Sequence, residues 1–267
     1  MAEEQDFQLT GGAGSLHGHA WLPPGQPRMI VLICHGYGEH LGRFAHVAEF
    51  FRDQGAAVFA IDHRGHGRSA GEKVLVDDFD ELVDDFRLLT GYARDKFPDL
   101  DVALVGHSMG GMLSVRYAQR FPDDLAAVVV TGPVIGQWDP GRVLAQADPV
   151  PEIPVDPGVL SRDAGVGQAY MSDPLVWHGS FHTQTILAFV EMIGRIDAAG
   201  TVEVPMLWMH GTADQLVPYE GTKKGWEKIA KDSDRHIFFD GARHELFNET
   251  NKQEVVDHAL AFINDHI

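Results

Sequence analysis

Two serines in this chain stand in the same five-residue pattern, G-x-S-x-G: Ser69 in Gly67-Arg68-Ser69-Ala70-Gly71 and Ser108 in Gly106-His107-Ser108-Met109-Gly110. The pattern serves nucleophilic attack only in one setting. A strand must lead into the serine and a helix must lead straight out, so that the hydroxyl tops a strained turn and the glycines let the backbone pass close. Ser108 meets both demands. The apolar run Val102–Val105 leads in, and Met109, Leu113, Tyr117 and Phe121 follow at helical spacing. Ser69 meets neither. The run Ala57–Ile61 ends well before it, and Ala70-Gly71-Glu72-Lys73-Val74 does not open a helix, so Gly65, Gly67 and Gly71 read as turn residues. Ser108 is the expected nucleophile.

A serine hydroxyl attacks poorly until a base takes its proton, and the usual base is a histidine held by a carboxylate. On a strand–turn–helix nucleophile the partners follow in the order acid, then histidine. Asp214 lies just past the strand-like Val204–His210, at the sheet edge where ligand sites of open α/β sheets gather. Asp197 and Asp240 are its rivals. His244 lies in the loop after the strand-like Arg235–Phe239; His210, His258 and His266 compete with it, and with 15 histidines most are bystanders. An oxyanion needs two backbone donors. The Met109 amide, at a helix N-terminus, is one; the Tyr37 amide, in His35-Gly36-Tyr37-Gly38 after the run ending at Cys34, is the other. Glu39 and Arg43, four apart, either pair with each other or reach a polar end of the substrate.

These residues need a frame. Apolar runs at Met29–Cys34, Ala57–Ile61, Val102–Val105, Ala126–Val130 and Met206–Met209 are nearly continuous, as strands covered on both faces would be. Helix-like segments at about 43–54, 78–97, 109–121, 219–231 and 251–265 separate them, which predicts an α/β fold. Phe7–Leu9 and Leu16–Trp21 flank Gly11-Gly12-Ala13-Gly14 and predict an antiparallel hairpin. The rhythm breaks after Gly136, where Pro140, Pro149, Pro151, Pro154, Pro157 and Pro174 cluster and no strand-like run appears. A structureless loop of that length is rare in a compact domain. The expected organisation is therefore a core at 1–135, a helical cap inserted at 136–200, and the second part of the core at 201–267. Within the insertion, His182–Ile196 reads as an amphipathic helix carrying Ile186, Leu187, Val190 and Ile193; Ile186 and Val190 are candidates to line an acyl chain.

Bulk properties exclude several alternatives. Thirty-nine acidic against 21 basic residues give a net charge of −18, which argues against nucleic acid and against electrostatic docking on anionic lipid. The single cysteine, Cys34, permits no intrachain disulfide. His63-x-x-His66, with His35, His40 and Asp62 nearby, lacks both H-x-H-x-D-H and H-E-x-x-H, so loop bracing is expected, with no metal and no cofactor. The first ten residues are acidic and polar, unlike a signal peptide, and no apolar run reaches a membrane span; the expectation is a soluble cytoplasmic protein, with contact to a lipid surface through the cap open. Oligomeric state is not legible.

Taken together, His35-Gly36, Asp62-His63-Arg64-Gly65-His66-Gly67-Arg68-Ser69, Gly106-His107-Ser108-Met109-Gly110-Gly111, Gly211-x-x-Asp214-x-x-Val217-Pro218 and Gly241-Ala242-Arg243-His244 resemble the α/β-hydrolase family over nearly the whole chain. More narrowly, His35-Gly36-Tyr37-Gly38-Glu39-His40-x-Gly42-Arg43-Phe44 resembles the monoacylglycerol lipases and related lysophospholipases. The resemblance implies a mostly parallel eight-stranded sheet flanked by helices, with a cap, and metal-free hydrolysis of single-chain acylglycerol esters. It implies Ser108, Asp214 and His244 as triad and Tyr37 and Met109 as oxyanion residues. It sets Glu39 and Arg43 near the glycerol end and gives the Arg64–Ser69 loop a structural role. Phe247 departs from it, the third position past the histidine being polar in some relatives. A carboxylesterase, a lysophospholipase, a thioesterase or a non-catalytic ligand-binding member are the alternatives.

Overall fold

The computed structural model describes residues 2–147, 150–151 and 155–267; Pro149 and Pro154 of the proline cluster lie outside them. An eight-stranded sheet runs through the molecule: β1 (Glu3–Gly11), β2 (Gly14–Leu22), β3 (Met29–Cys34), β4 (Ala56–Ile61), β5 (Val102–His107), β6 (Ala127–Thr131), β7 (Met206–Gly211) and β8 (Arg235–Phe239). Its spatial order is β1-β2-β4-β3-β5-β6-β7-β8. The hairpin β1/β2 turns where the glycines stand, with Gly11 opposite Gly14, and joins β4 antiparallel. From β4 to β8 every pairing is parallel.

The continuous apolar runs have a simple cause. Successive side chains on a strand point to opposite faces, and here both faces are covered. On β3, Ile30, Leu32 and Cys34 enter one core layer, while Met29, Val31 and Ile33 enter the other. The first layer is closed by α2 (Phe79–Lys96), α3 (Met109–Arg120) and part of α6 (Thr183–Ala199), through Phe86, Leu113 and Phe189 among others. The second is closed by α1 (Ala45–Asp53) and α8 (Lys252–Asn264), through Phe51 and Phe262. α7 (Tyr219–Ile229) follows β7 and buries Trp226 and Ile229 in the first layer.

Between β6 and β7 the chain leaves the α/β rhythm. It carries α4 (Asp139–Ala145), a 3-10 turn at Pro157–Val159, α5 (Ala164–Ser172) and α6. Sequence periodicity anticipated only α6. α4 and α5 are short and contain Pro140, Gly141, Gly165 and Gly167, which blur a helical pattern. Both start on side-chain or proline cues instead: Asp163 caps α5 by accepting from the Gly165 amide, and Pro140 occupies the first turn of α4.

Candidate active site

β5 and α3 meet at Ser108 with no residue between them, and the price in backbone geometry falls on the serine. Its φ is +54° and ψ is −117°, a region that side-chain-bearing residues avoid. The flanking glycines follow from crowding. A Cβ at Gly110 would collide with the Cys34 carbonyl, and one at Gly106 with the Ser114 hydroxyl and the Gly110 carbonyl. The turn is locked on the far side as well, because the Ser108 amide donates to the Thr131 carbonyl at 2.9 Å.

The parallel strands β5, β7 and β8 end along the same edge of the sheet, with β6 between the first two, and the loops after them bring distant residues to one point. His244 Nε2 lies 2.9 Å from Ser108 Oγ, and His244 Nδ1 lies 2.7 Å from Asp214 Oδ2. Asp214 is wholly enclosed, and its other oxygen, Oδ1, accepts from the amides of Leu216 and Val217 at 2.9 Å each. Burial by itself would raise the Asp214 pKa; the facing His244 and the hydrogen bonds from His210 and His244 outweigh it and hold the carboxyl well below its ordinary 3.8. The same pair acts in reverse on the imidazole. Burial would lower the His244 pKa, but the Asp214 charge and hydrogen bond lift it above 6.5. An ionised Asp214 fixes the proton on Nδ1 and leaves Nε2 free to accept one from Ser108. This arrangement can carry general-base activation of a serine.

The loop after β3 faces the serine. Neither the Tyr37 nor the Met109 amide has an acceptor among the described residues. The loop is held from two sides: the Gly36 amide donates to Glu39 Oε1 at 2.7 Å, and the Trp177 amide, from the inserted segment, donates to the Gly38 carbonyl at 2.7 Å. Ser108 and His244 open into a cavity of about 170 Å³. Val134, Trp138, Leu144, Leu160, Phe181 and Phe189 give it apolar walls, and Glu39, Arg43 and Glu245 give it one polar end.

A family model described as serine aminopeptidase, S33, matches residues 25–251. The chain is 35% identical to a monoacylglycerol lipase of Mycolicibacterium smegmatis, covering 99% of this chain and 98% of that one. It is 32% identical to the human monoglyceride lipase, over 86% of this chain and 79% of that one. The chain belongs to the S33 family of α/β-hydrolases. In fold it matches a soluble variant of the Saccharomyces cerevisiae monoglyceride lipase with a TM-score of 0.83 at 20% identity, covering 99% of this chain and 96% of that one. It matches the Paleococcus ferrophilus monoacylglycerol lipase with a TM-score of 0.79 at 24% identity, over the full length of both.

Within this S33 hydrolase, the two residues expected to meet an acyl chain, Ile186 and Val190, do not line the cavity. Ile186 is fully buried in the core, and Val190 is 36% exposed. α6 turns Thr185, Ile186, Phe189, Met192, Ile193 and Ile196 inward, and only Phe189, with the preceding Phe181, reaches the cavity. The apolar stripe in the sequence is wider than the face that packs, so periodicity cannot say which edge of it points at the pocket. Of the two alternatives for Glu39 and Arg43, the pairing is present, Arg43 Nη1 donating to Glu39 Oε2 at 2.6 Å, and both residues line the cavity. Ser69 is spent on structure, its hydroxyl donating to the Asp62 carbonyl at 2.6 Å and accepting from the His17 amide at 2.9 Å.

Sequence reading passed over three contributors. His210, weighed only as a rival base, accepts from Trp208 Nε1 on Nδ1 at 2.9 Å. Its proton therefore sits on Nε2, where it is shared between the Val217 carbonyl at 2.8 Å and Asp214 Oδ2 at 3.1 Å. Glu249, almost fully buried, accepts from the Arg243 amide at 2.8 Å and so braces the residue before His244. Glu245 grips Arg43 through both oxygens at 2.8 Å. The cluster expected to brace loops does make such bonds: His35 Nε2 accepts from the His63 amide at 3.0 Å, and His66 Nδ1 donates to the Arg64 carbonyl at 2.9 Å. Among the described residues no group of His, Cys, Asp and Glu is arranged to hold a metal ion.

Proposed function

We propose that this protein is a monoacylglycerol lipase in which Ser108 is the nucleophile, His244 the base and Asp214 the residue that orients the base. The observation that carries the reading is the continuous chain from Ser108 Oγ to His244 Nε2 at 2.9 Å and from His244 Nδ1 to Asp214 Oδ2 at 2.7 Å, opening onto an apolar cavity with one polar end. The relatives named monoacylglycerol and monoglyceride lipase, similar over most of both chains, support the choice of substrate.

His244 Nε2 takes the proton of Ser108 as Oγ attacks the ester carbonyl. The oxyanion forms in front of the Tyr37 and Met109 amides, a contribution on the order of 3–4 kcal/mol per donor. Collapse of this intermediate breaks the bond to the glycerol oxygen, which leaves with the proton from His244 and an acyl group on Ser108. A water molecule, deprotonated by the same imidazole, then releases the fatty acid and restores the serine. Residues 136–200 act as the cap: Trp138, Leu144, Leu160, Phe181 and Phe189 wall the acyl site, while Val143, Met171 and Leu187 are each more than half exposed and available for brief contact with uncharged lipid.

Hydrolysis of matched mono-, di- and trioctanoylglycerol by the purified protein tests this reading. The monoester should be cleaved with a kcat/KM at least about tenfold above the others, a discrimination within reach of pocket shape. Equal or faster cleavage of the triester would contradict it.

A further inference from the structure

At the polar end of the cavity, Arg43 is the sole lysine or arginine among the described lining residues. Its guanidinium presents a planar fork, the group that best binds phosphate through two parallel hydrogen bonds. That fork is already occupied. Nη1 and Nη2 each donate at 2.8 Å to a different oxygen of Glu245, and Nη1 also donates to Glu39 Oε2 at 2.6 Å. Glu245 is held in this pose from its outer side by Asn248 Nδ2 at 2.8 Å, and Arg43 lies under the Tyr170 ring at 5.2 Å. All three charged side chains are more than nine-tenths enclosed. Two carboxylates against one guanidinium leave this end of the pocket negative or, with one acid protonated, neutral; in neither state is it positive.

The geometry points to Glu245 as a specificity-determining residue that fills the arginine fork a phosphate would need, so that the site takes esters of uncharged polyols and rejects phosphate-bearing head groups. The inference rests on the ester-hydrolase reading above and narrows its alcohol. Hydroxyl groups of a glycerol can donate to the remaining lone pairs of the two acids. A glycerol phosphate brings acceptors and negative charge to the same place, where like charges in a desolvated site are strongly unfavourable.

The experiment compares 1-octanoylglycerol with 1-octanoylglycerol 3-phosphate, both below their micelle concentrations, in about 0.5 M NaCl. At that ionic strength the long-range field of the −18 chain is screened. The wild type should favour the uncharged ester in kcat/KM by about 100-fold. In Glu245→Gln, checked for folding by its thermal transition, the ratio should fall by about tenfold, mostly through a lower KM for the phosphate ester. If Glu245→Gln does not fold, the wild-type ratio decides by itself. A wild-type ratio near one would overturn the inference while leaving monoacylglycerol hydrolysis standing, as would an unchanged ratio in the folded variant. A protein that cleaves neither ester would overturn the reading beneath it, and this inference with it.

Discussion

The Ser108 backbone and the His244–Asp214 pair make opposite demands on stability, and both can be measured. Ser108 holds φ at +54°, a conformation glycine adopts freely. Ser108→Gly should therefore abolish activity yet raise unfolding stability by about 0.5–1 kcal/mol in urea titrations; a loss of stability would mean the turn is not strained. His244 must be neutral to accept a proton, and its pKa is held above 6.5 by Asp214 against the opposing effect of burial. The kcat/KM should thus climb as pH rises through a midpoint above 6.5, and a midpoint below that value would contradict the pairing. The stability contributed by this raised pKa is complete below 6.5 and fades as pH rises through the folded value, while that of Asp214, whose pKa is depressed, is present above 3.8 and fades as pH falls through its folded value. Asp214→Asn should cut kcat by about 10⁴-fold while keeping the fold. Ser108, Asp214 and His244 were readable because the chemistry fixes both their types and their places after strand ends. Glu245 was not. Its meaning comes from Arg43, 202 positions away, and no local pattern links the two.

The sheet was legible because strands enclosed on two faces are nearly continuous apolar runs, and β3 through β7 are buried at every position, with polar side chains only at His107, Thr131 and His210 near the strand ends. β8 was found despite its exposed start at Arg235 and His236, because a turn and a helix bracket it. The stretch between β6 and β7 stood out by its lack of strand-like runs, and its short helices α4 and α5 stayed hidden. The edge of α6 that meets the cavity follows from packing on α2 and α3, which sequence spacing does not encode. Two substitutions separate the faces of this helix. Phe189→Ala, at a side chain 1% exposed, should cost about 3–5 kcal/mol in urea unfolding. Val190→Ala, one position on, should change stability by less than about 0.5 kcal/mol. Equal effects would mean the burial pattern of α6 is wrong.

No helix among the described residues is long and apolar enough to cross a membrane. A chain of net charge −18 should approach an anionic surface poorly. Turnover of monoacylglycerol carried in anionic vesicles should therefore rise as NaCl is raised, while turnover in zwitterionic vesicles stays nearly flat; the opposite trend would require a basic docking face. The whole account depends on residues from β5, β7 and β8 acting together on one hydroxyl. Its most direct test is to treat the native protein with a fluorophosphonate, follow the loss of esterase activity, and map the adduct by peptide mass. The account predicts one adduct per chain, on the peptide bearing Ser108, formed in step with inactivation. An adduct on Ser69, or full inactivation with Ser108 unmodified, would contradict it.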